Sequence, residues 1–235
     1  MKILALDSSA VVASVALCED ETLLAEYTLN NGNTHSETLL PMVETLLAHF
    51  GITTDDIDLF AASTGPGSFT GVRIGTATLK GLAFAKETPC VGVSTLEALA
   101  ENAVALTGLV CPVMNARRSQ VYTALFRSDG QTMTRLLPDS ALPIAELDEL
   151  LAAYGEPVVF VGDGYRITLD ALKQTVAREI PDRLHHQSAY SVAQVARRAY
   201  TCGLTTTDST LAVTYLRPSQ AERERLEREK NQSNG

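Results

Sequence analysis

The chain has 235 residues, a formal net charge of −9 and 45% hydrophobic residues, enough apolar material for one large or two small domains. The acidic balance argues against a protein that holds nucleic acid alone, because such proteins normally carry a basic surface. No apolar run reaches the ~18 residues of a membrane span, and Asp7 comes too early for a signal peptide. The four cysteines form no C-x-x-C pair. We therefore expect a cytoplasmic protein with reduced thiols and no membrane association.

Three strand-like runs open the chain at residues 3–6, 12–18 and 23–29, and a helix is predicted from Thr34 to Phe50. Thr34 and Glu37 have the spacing of a capping box, and Pro41 predicts a kink or a later start of this helix. The pattern continues with a strand at 59–63, a glycine-led helix from Ser68 to Lys86, a strand at 90–93 and a helix at 94–106.

The order then repeats. Strands are predicted at 109–115, 120–126, 132–137 and 158–161, and helices at 143–154, 168–178 and 191–202. Two β-β-β-α-β-α units predict a duplicated α/β fold with a cleft between subdomains 1–107 and 108–203. An extension, 204–235, carries a charged helix at 222–230 and a frayed, disordered end.

The most distinctive motif is the run from Gly65 to Gly75, which reads GPGSFTGVRIG. Gly67, Gly71 and Gly75 recur every four residues, which places them on one side of a helix where another backbone can approach closely. The spacing matches neither the dinucleotide fingerprint nor the P-loop. Ser68 is the predicted N-cap of a helix whose free N–H groups could hold an anion. Packing of the helix alone is the alternative interpretation.

Four segments together resemble the bacterial TsaB family, also called YeaZ: residues 4–9 (LALDSS), 65–75, 92–96 (GVSTL) and 215–217 (YLR). The resemblance spans nearly the full length and implies the actin/Hsp70/sugar-kinase-like (ASKHA) fold. It further implies a non-catalytic subunit that works with the catalytic paralogue TsaD and the ATPase TsaE to place threonylcarbamoyl on adenosine 37 (t6A) of tRNAs reading codons that begin with adenine. It implies a homodimer when TsaD is absent, and contact with tRNA only through the complex. Val213 departs from the family pattern, which has proline at this position.

The acids and histidines supply little for independent catalysis. TsaD-like proteins carry a His-x-x-x-His metal motif just after the strand at 90–93, where this chain has Thr95 and Leu99. Asp7 ends the first strand, where actin-like ATPases place a carboxylate, but its counterpart in the second half is Asn115. We predict no catalytic residue, no metal and no intrinsic cofactor. An actin-like ATPase or kinase and a glycoprotease-like metallopeptidase are the alternatives left open.

Two predicted helices of the first subdomain, Thr34 to Phe50 and Ser68 to Lys86, are apolar on more than one stripe, which favours one stripe for the core and another for TsaD. A third layer of the same domain is the alternative. The predicted partner-binding residues are Leu39, Leu40, Val43, Leu46, Leu47, Phe69, Gly71, Val72, Gly75 and Leu79. The resemblance also implies a vestigial or shared nucleotide contact, with ATP or ADP at the interface with TsaD, at Asp7, Ser8, Ser9, Gly65, Gly67 and Ser68.

Overall fold

A computed structural model describes residues 1–84 and 86–217, which form two five-stranded mixed sheets. The first sheet has the order β3-β2-β1-β4-β5 and contains β1 (Lys2–Asp7), β2 (Ala13–Glu19), β3 (Thr22–Leu29), β4 (Leu59–Gly65) and β5 (Cys90–Ser94). The second has the order β8-β7-β6-β9-β10 and contains β6 (Gly108–Asn115), β7 (Gln120–Ser128), β8 (Met133–Pro143), β9 (Val158–Val161) and β10 (Ala177–Arg178). The helices are α1 (His35–Phe50), α2 (Phe69–Ala83), α3 (Thr95–Glu101), α4 (Ile144–Ala152), α5 (Tyr165–Leu169) and α6 (Ala189–Thr201).

The two sheets repeat one topology. The first strand of each half, β1 or β6, pairs antiparallel with the strand that follows it and parallel with the fourth strand of its half. Asp7 and Asn115 are the last residues of these two central strands. The repeat confirms the predicted duplicated α/β fold of the actin-like type.

One face of the first sheet is covered by α1 and α2. Apolar residues at helical spacing pack on the side chains of Leu4, Leu6 and Phe60. The helix residues in this core are Leu39, Met42, Val43, Leu46, Leu47, Leu79 and Ala83. The first subdomain therefore uses the most regular apolar stripe of each helix for its own core.

Each half contributes its last helix to the other sheet. Residues of α6, among them Val192 and Ala193, pack on Ile3 and Ala5 of the first sheet. Leu96, Leu99 and Ala100 of α3 pack on the second sheet, whose opposite face is covered by α4, while Ala98 of the same helix packs against the first sheet with α6. The two sheets lie on either side of residue 107, and the subdomain boundaries at 107 and 203 stay predictions. Although α6 lies within 108–203, it packs on the first sheet. Its apolar face is buried against the strands of the first half.

Several helix ends differ from the prediction. The Thr34 side chain makes no capping hydrogen bond, so the predicted capping box does not form. The helix begins at His35 with Pro41 inside it, so a late start is also wrong. Ser68 is confirmed as the N-cap of α2, because its Oγ accepts the N–H of Gly71 at 3.2 Å.

The helix predicted at 168–178 is also wrong. The Asp148 carboxylate, on α4, accepts the backbone N–H of Lys173 at 2.8 Å and of Thr175 at 2.9 Å, which turns the chain. The residues that follow pair with β9 as the short strand β10. Hydrogen bonds to a buried carboxylate here replace those of a helix.

The segment after α6 returns to the first sheet. Thr206 exchanges backbone hydrogen bonds with Cys90 at 2.8 and 2.9 Å, and Leu211 is buried in the core beneath α1 and α2. The charged helix predicted at 222–230 and the disordered end lie outside the described residues. No helix within residues 1–84 and 86–217 is long and apolar enough to cross a bilayer.

Candidate functional site

Gly67, Gly71 and Gly75, just before and within α2, face the turn between β1 and β2 of the same chain. A Cβ at Gly67 would overlap the carbonyl oxygen of Ser9, one at Gly71 would overlap the carbonyl oxygen of Ser8, and one at Gly75 would overlap the Ser8 hydroxyl. The Ser8 Oγ also donates to the carbonyl of Gly71 at 2.9 Å. The close approach indicated by the four-residue spacing is therefore made within this chain, and Gly71 and Gly75 contact no partner there.

Asp7 is buried beneath this turn. One carboxylate oxygen accepts the Ser9 N–H at 2.8 Å and the Ser9 hydroxyl at 2.7 Å, and the other accepts the Ser63 hydroxyl at 2.5 Å. Burial raises the pKa of Asp7, and the hydrogen bonds from Ser63 and Ser9 lower it in part. Both oxygens of this carboxylate are thus engaged by donors of the chain itself.

Two backbone N–H groups at the start of α2 are already engaged within the chain. The Ser68 N–H donates to the Ser9 carbonyl at 2.7 Å, and the Gly71 N–H is taken by the Ser68 hydroxyl. Gly65 lies against the carbonyl of Thr214. Of the six residues predicted for nucleotide contact, Asp7, Ser8 and Gly65 do not line the cleft between the sheets, whereas Ser9, Gly67 and Ser68 do. A phosphate-binding site formed by Asp7 and the glycine-led turn does not fit this geometry.

The cleft between the two halves is a cavity of about 560 Å³. Its walls are Ser9, Ala10, Val11 and Gly67 to Thr70 on one side, and Met114 to Arg117, Tyr122 and Asp163 on the other. Asp163 accepts the backbone N–H of Asn115 at 3.2 Å. Desolvation by the cleft walls raises the pKa of Asp163, although the residue is exposed at the cleft surface.

The histidines lie far from a shared site. The His35 Nε2 contacts the Ala10 carbonyl oxygen at 2.7 Å, and the His185 ring stacks on Tyr165 with centroids 3.6 Å apart. Within the described part of the chain, no three His, Cys, Asp or Glu side chains are grouped closely enough to hold a metal ion. Thr95 and Leu99, which we predicted to occupy the positions of the TsaD histidines, are buried on α3.

Most of the predicted partner-binding residues are buried in the chain's own core. The eight buried ones are Leu39, Val43, Leu46, Leu47, Gly71, Val72, Gly75 and Leu79. Their burial corrects the expectation that these side chains are left over from the core, because the first sheet and the β1–β2 turn already cover them. Only Leu40, which is 43% exposed, and the half-buried Phe69 could contact a partner directly.

A second stripe of the same two helices is exposed. Phe84, directly after α2, is 72% exposed, the largest exposed fraction among the large apolar side chains of the described residues. Ala77 and Gly81 are also exposed on α2, and Leu40 is exposed on α1. We call Leu40, Ala77, Gly81 and Phe84 the outer helix face. Apolar spacing alone does not show which side of α2 the sheet covers.

The comparisons with known proteins agree with the resemblance. A family model described as TsaD: tRNA N6-adenosine threonylcarbamoyltransferase matches residues 22–223. Two curated relatives are named tRNA threonylcarbamoyladenosine biosynthesis protein TsaB. The Bacillus subtilis protein is 37% identical over 69% of this chain and 71% of its own length. The Escherichia coli protein is 41% identical over 55% of this chain and 56% of its own length.

A solved structure adds to this agreement. YeaZ from Pseudomonas aeruginosa superposes with a TM-score of 0.74 at 27% identity, over 92% of this chain and 99% of that chain. The match covers both sheets, and the GPGSFTGVRIG run and the YLR segment lie side by side in the fold, where Phe69 stacks on Tyr215. The chain belongs to the TsaB (YeaZ) family.

Proposed function

We propose that this chain is a non-catalytic subunit required for forming t6A in tRNA, and that it acts by binding and supporting TsaD together with TsaE. Its membership of the TsaB family supports the role in tRNA modification. The positions of the TsaD histidines hold Thr95 and Leu99, and the one carboxylate at a central strand end, Asp7, is sequestered by Ser9 and Ser63. These features favour a contribution to tRNA modification through binding to the other subunits and not through catalysis by this chain.

The outer helix face carries this proposal. Phe84 and Leu40 expose apolar area that the chain itself does not cover, and burying a large apolar side chain is worth about 1.5–3 kcal/mol. Ala77 and Gly81 are small and exposed on α2, and they would let a partner helix approach closely. We assign this face to TsaD, and to a second copy of the chain when TsaD is absent.

A nucleotide at the interface with TsaD stays a prediction. The cleft walls from this chain would offer it Ser9, Gly67 and Ser68 and not Asp7. The ATPase or kinase alternative needs Asp7 to act in the cleft, and its two oxygens are already occupied. The metallopeptidase alternative needs ligands that Thr95 and Leu99 do not provide.

Reconstitution tests the proposal. Purified TsaD and TsaE with tRNA, threonine, bicarbonate and ATP, together with the enzyme that makes threonylcarbamoyl-adenylate, should form t6A only when this chain is added. The chain alone should turn over neither ATP nor peptide. Formation of t6A at the full rate without the chain, or ATP hydrolysis by the chain alone that Asp7→Asn abolishes, would contradict the proposal.

A further inference from the structure

A groove on the second subdomain gathers positive charge in a chain whose net charge is −9. It has a volume of about 750 Å³ and lies beside the β6–β7 turn, the start of α4 and the end of α5. Three cationic residues line the cavity, Arg117, Arg118 and Lys173, and one acidic residue, Asp170. The volume falls within the ~300–1,000 Å³ of pockets that hold small-molecule ligands. We call this cavity the basic groove.

Two of its cations have no acidic partner. The Arg117 guanidinium and the Lys173 ammonium form no ion pair with any described residue, whereas Arg127, Arg135 and Arg198 each pair with a carboxylate. Arg117 and Lys173 line the same cavity, and two cations without a described acidic partner in one cavity favour an anionic ligand.

The turn that carries the arginines has an unusual backbone. Arg117, Arg118 and Ser119 have φ values of 63°, 55° and 55°, in a region that non-glycine residues rarely adopt. Neighbours hold the turn in place, since the Asn115 side chain accepts the Arg117 N–H at 2.8 Å and the Ser119 carbonyl accepts the Ile144 N–H at 3.1 Å. The turn thereby fixes the backbone from which both arginine side chains line the groove.

We propose that the basic groove binds the phosphodiester backbone of the tRNA, with Arg117 and Lys173 as phosphate contacts. This inference rests on the proposed function, because the assembled complex must hold a tRNA. Guanidinium groups match phosphate oxygens in a bidentate geometry. Ile144, Ile167 and Leu172 supply an apolar wall on which a ribose or base can pack. The groove adds a secondary contact and does not make this acidic chain an RNA-binding protein by itself.

The test uses the complex of the full chain with TsaD and a tRNA transcript that reads a codon beginning with adenine. Arg117→Gly removes one charge at a φ that glycine adopts readily, so the variant should fold. Lys173→Ala removes the second charge. Arg183→Ala is the matched control, because Arg183 is exposed and lies outside the groove.

Each groove variant should weaken tRNA binding about three- to tenfold at moderate salt and lower the slope of log K against log salt by about one, while Arg183→Ala changes neither. Co-elution with TsaD is measured on the same samples. Groove variants that bind tRNA as the control does would overturn the inference. Loss of TsaD co-elution with unchanged tRNA affinity would overturn it too, since the groove would then be a protein contact. A wild-type chain that never binds TsaD would count against the proposed function instead.

Discussion

The rings of Phe69 and Tyr215 stack with centroids 4.2 Å apart and planes 4° apart, although 146 positions separate them in the sequence. The Arg73 Nε donates to the Tyr215 hydroxyl at 2.6 Å. One residue earlier, the Thr214 N–H donates to the Thr64 carbonyl at 2.8 Å. The GPGSFTGVRIG run and the YLR segment are therefore one structural unit, which joins the start of α2 to the end of the described chain.

Replacing Tyr215 tests this unit. Tyr215→Ala should lower the free energy of unfolding by about 1 kcal/mol, because an aromatic pair contributes about 0.5–1.5 kcal/mol beyond its buried area. Hydrogen exchange at Thr214 and Thr206 should accelerate, while exchange in β1 should not. Tyr215→Phe keeps the ring stack and should cost less than half as much. Equal exchange rates in Tyr215→Ala and wild type would show that the segment is held by other contacts.

Substitution by alanine should change the free energy of unfolding in opposite directions at two glycines of α2. Gly71→Ala places a Cβ onto the Ser8 carbonyl and should lower the free energy of unfolding by about 3 kcal/mol. Gly81→Ala meets nothing within 4 Å and should raise it by about 0.5–1 kcal/mol through helix propensity. Urea unfolding of both variants measures the difference. An unchanged free energy of unfolding in Gly71→Ala would mean that α2 is not in close contact with the β1–β2 turn.

Titration of Asp7 should lower the free energy of unfolding as pH rises. Because burial raises its pKa above the ordinary value of 3.8, the folded state holds this proton more tightly than the unfolded state. The stabilising contribution is complete below pH 3.8 and is lost as pH rises through the folded pKa. Asp7→Asn removes this titration. The free energy of unfolding of the variant, relative to that of wild type, should therefore increase between pH 3.8 and the folded-state pKa of Asp7, and then level off.

Asp148 provides the opposite case. Desolvation raises the pKa of this carboxyl, but the N–H groups of Lys173, Thr175 and Gln174 outweigh it, so its pKa is lowered from 3.8. Asp148→Asn should therefore lose most stability relative to wild type at neutral pH and converge with it as pH falls. Urea unfolding between pH 3 and 8 measures both variants. A pH-independent offset for Asp7→Asn would contradict the raised pKa.

Cysteine reactivity should be confined to one residue. Burial raises the pKa of Cys18 and of Cys111 to about 12 and that of Cys90 to about 11, so little nucleophilic thiolate forms at neutral pH. Cys202 is exposed. A maleimide should label Cys202 alone in the native chain and all four thiols after unfolding. Fast native labelling of Cys111 would show that the second sheet opens readily.

Local patterns in the sequence predicted much of the fold. Nine of the ten strands and the Ser68 cap follow from apolar periodicity and turn residues, since these features depend on neighbours in the chain. The equivalence of Asp7 and Asn115 follows from the repeat of the strand pattern. The helix predicted at 168–178 failed because a distant carboxylate, Asp148, takes its N–H groups.

The candidate interface was harder to predict. Periodicity identifies apolar stripes on α1 and α2 but not which stripe the sheet covers, so buried residues such as Leu46 and Val72 were assigned to a partner. The exchange of α3 and α6 between the two sheets is likewise invisible to local patterns. Arg117 was missed, although two adjacent arginines in a short turn between strands were available as a signal.

The most direct test of the account measures the affinity of the chain for TsaD by calorimetry, with Leu40→Glu compared with Leu150→Glu. The two leucines are 43% and 40% exposed, on α1 and on α4, so the variants match in chemistry and in expected cost to the fold. Leu40→Glu should weaken TsaD binding at least tenfold, Phe84→Glu should do the same, and Leu150→Glu should bind as wild type does. Unchanged binding by Leu40→Glu and Phe84→Glu would contradict the claim that the chain acts through its outer helix face.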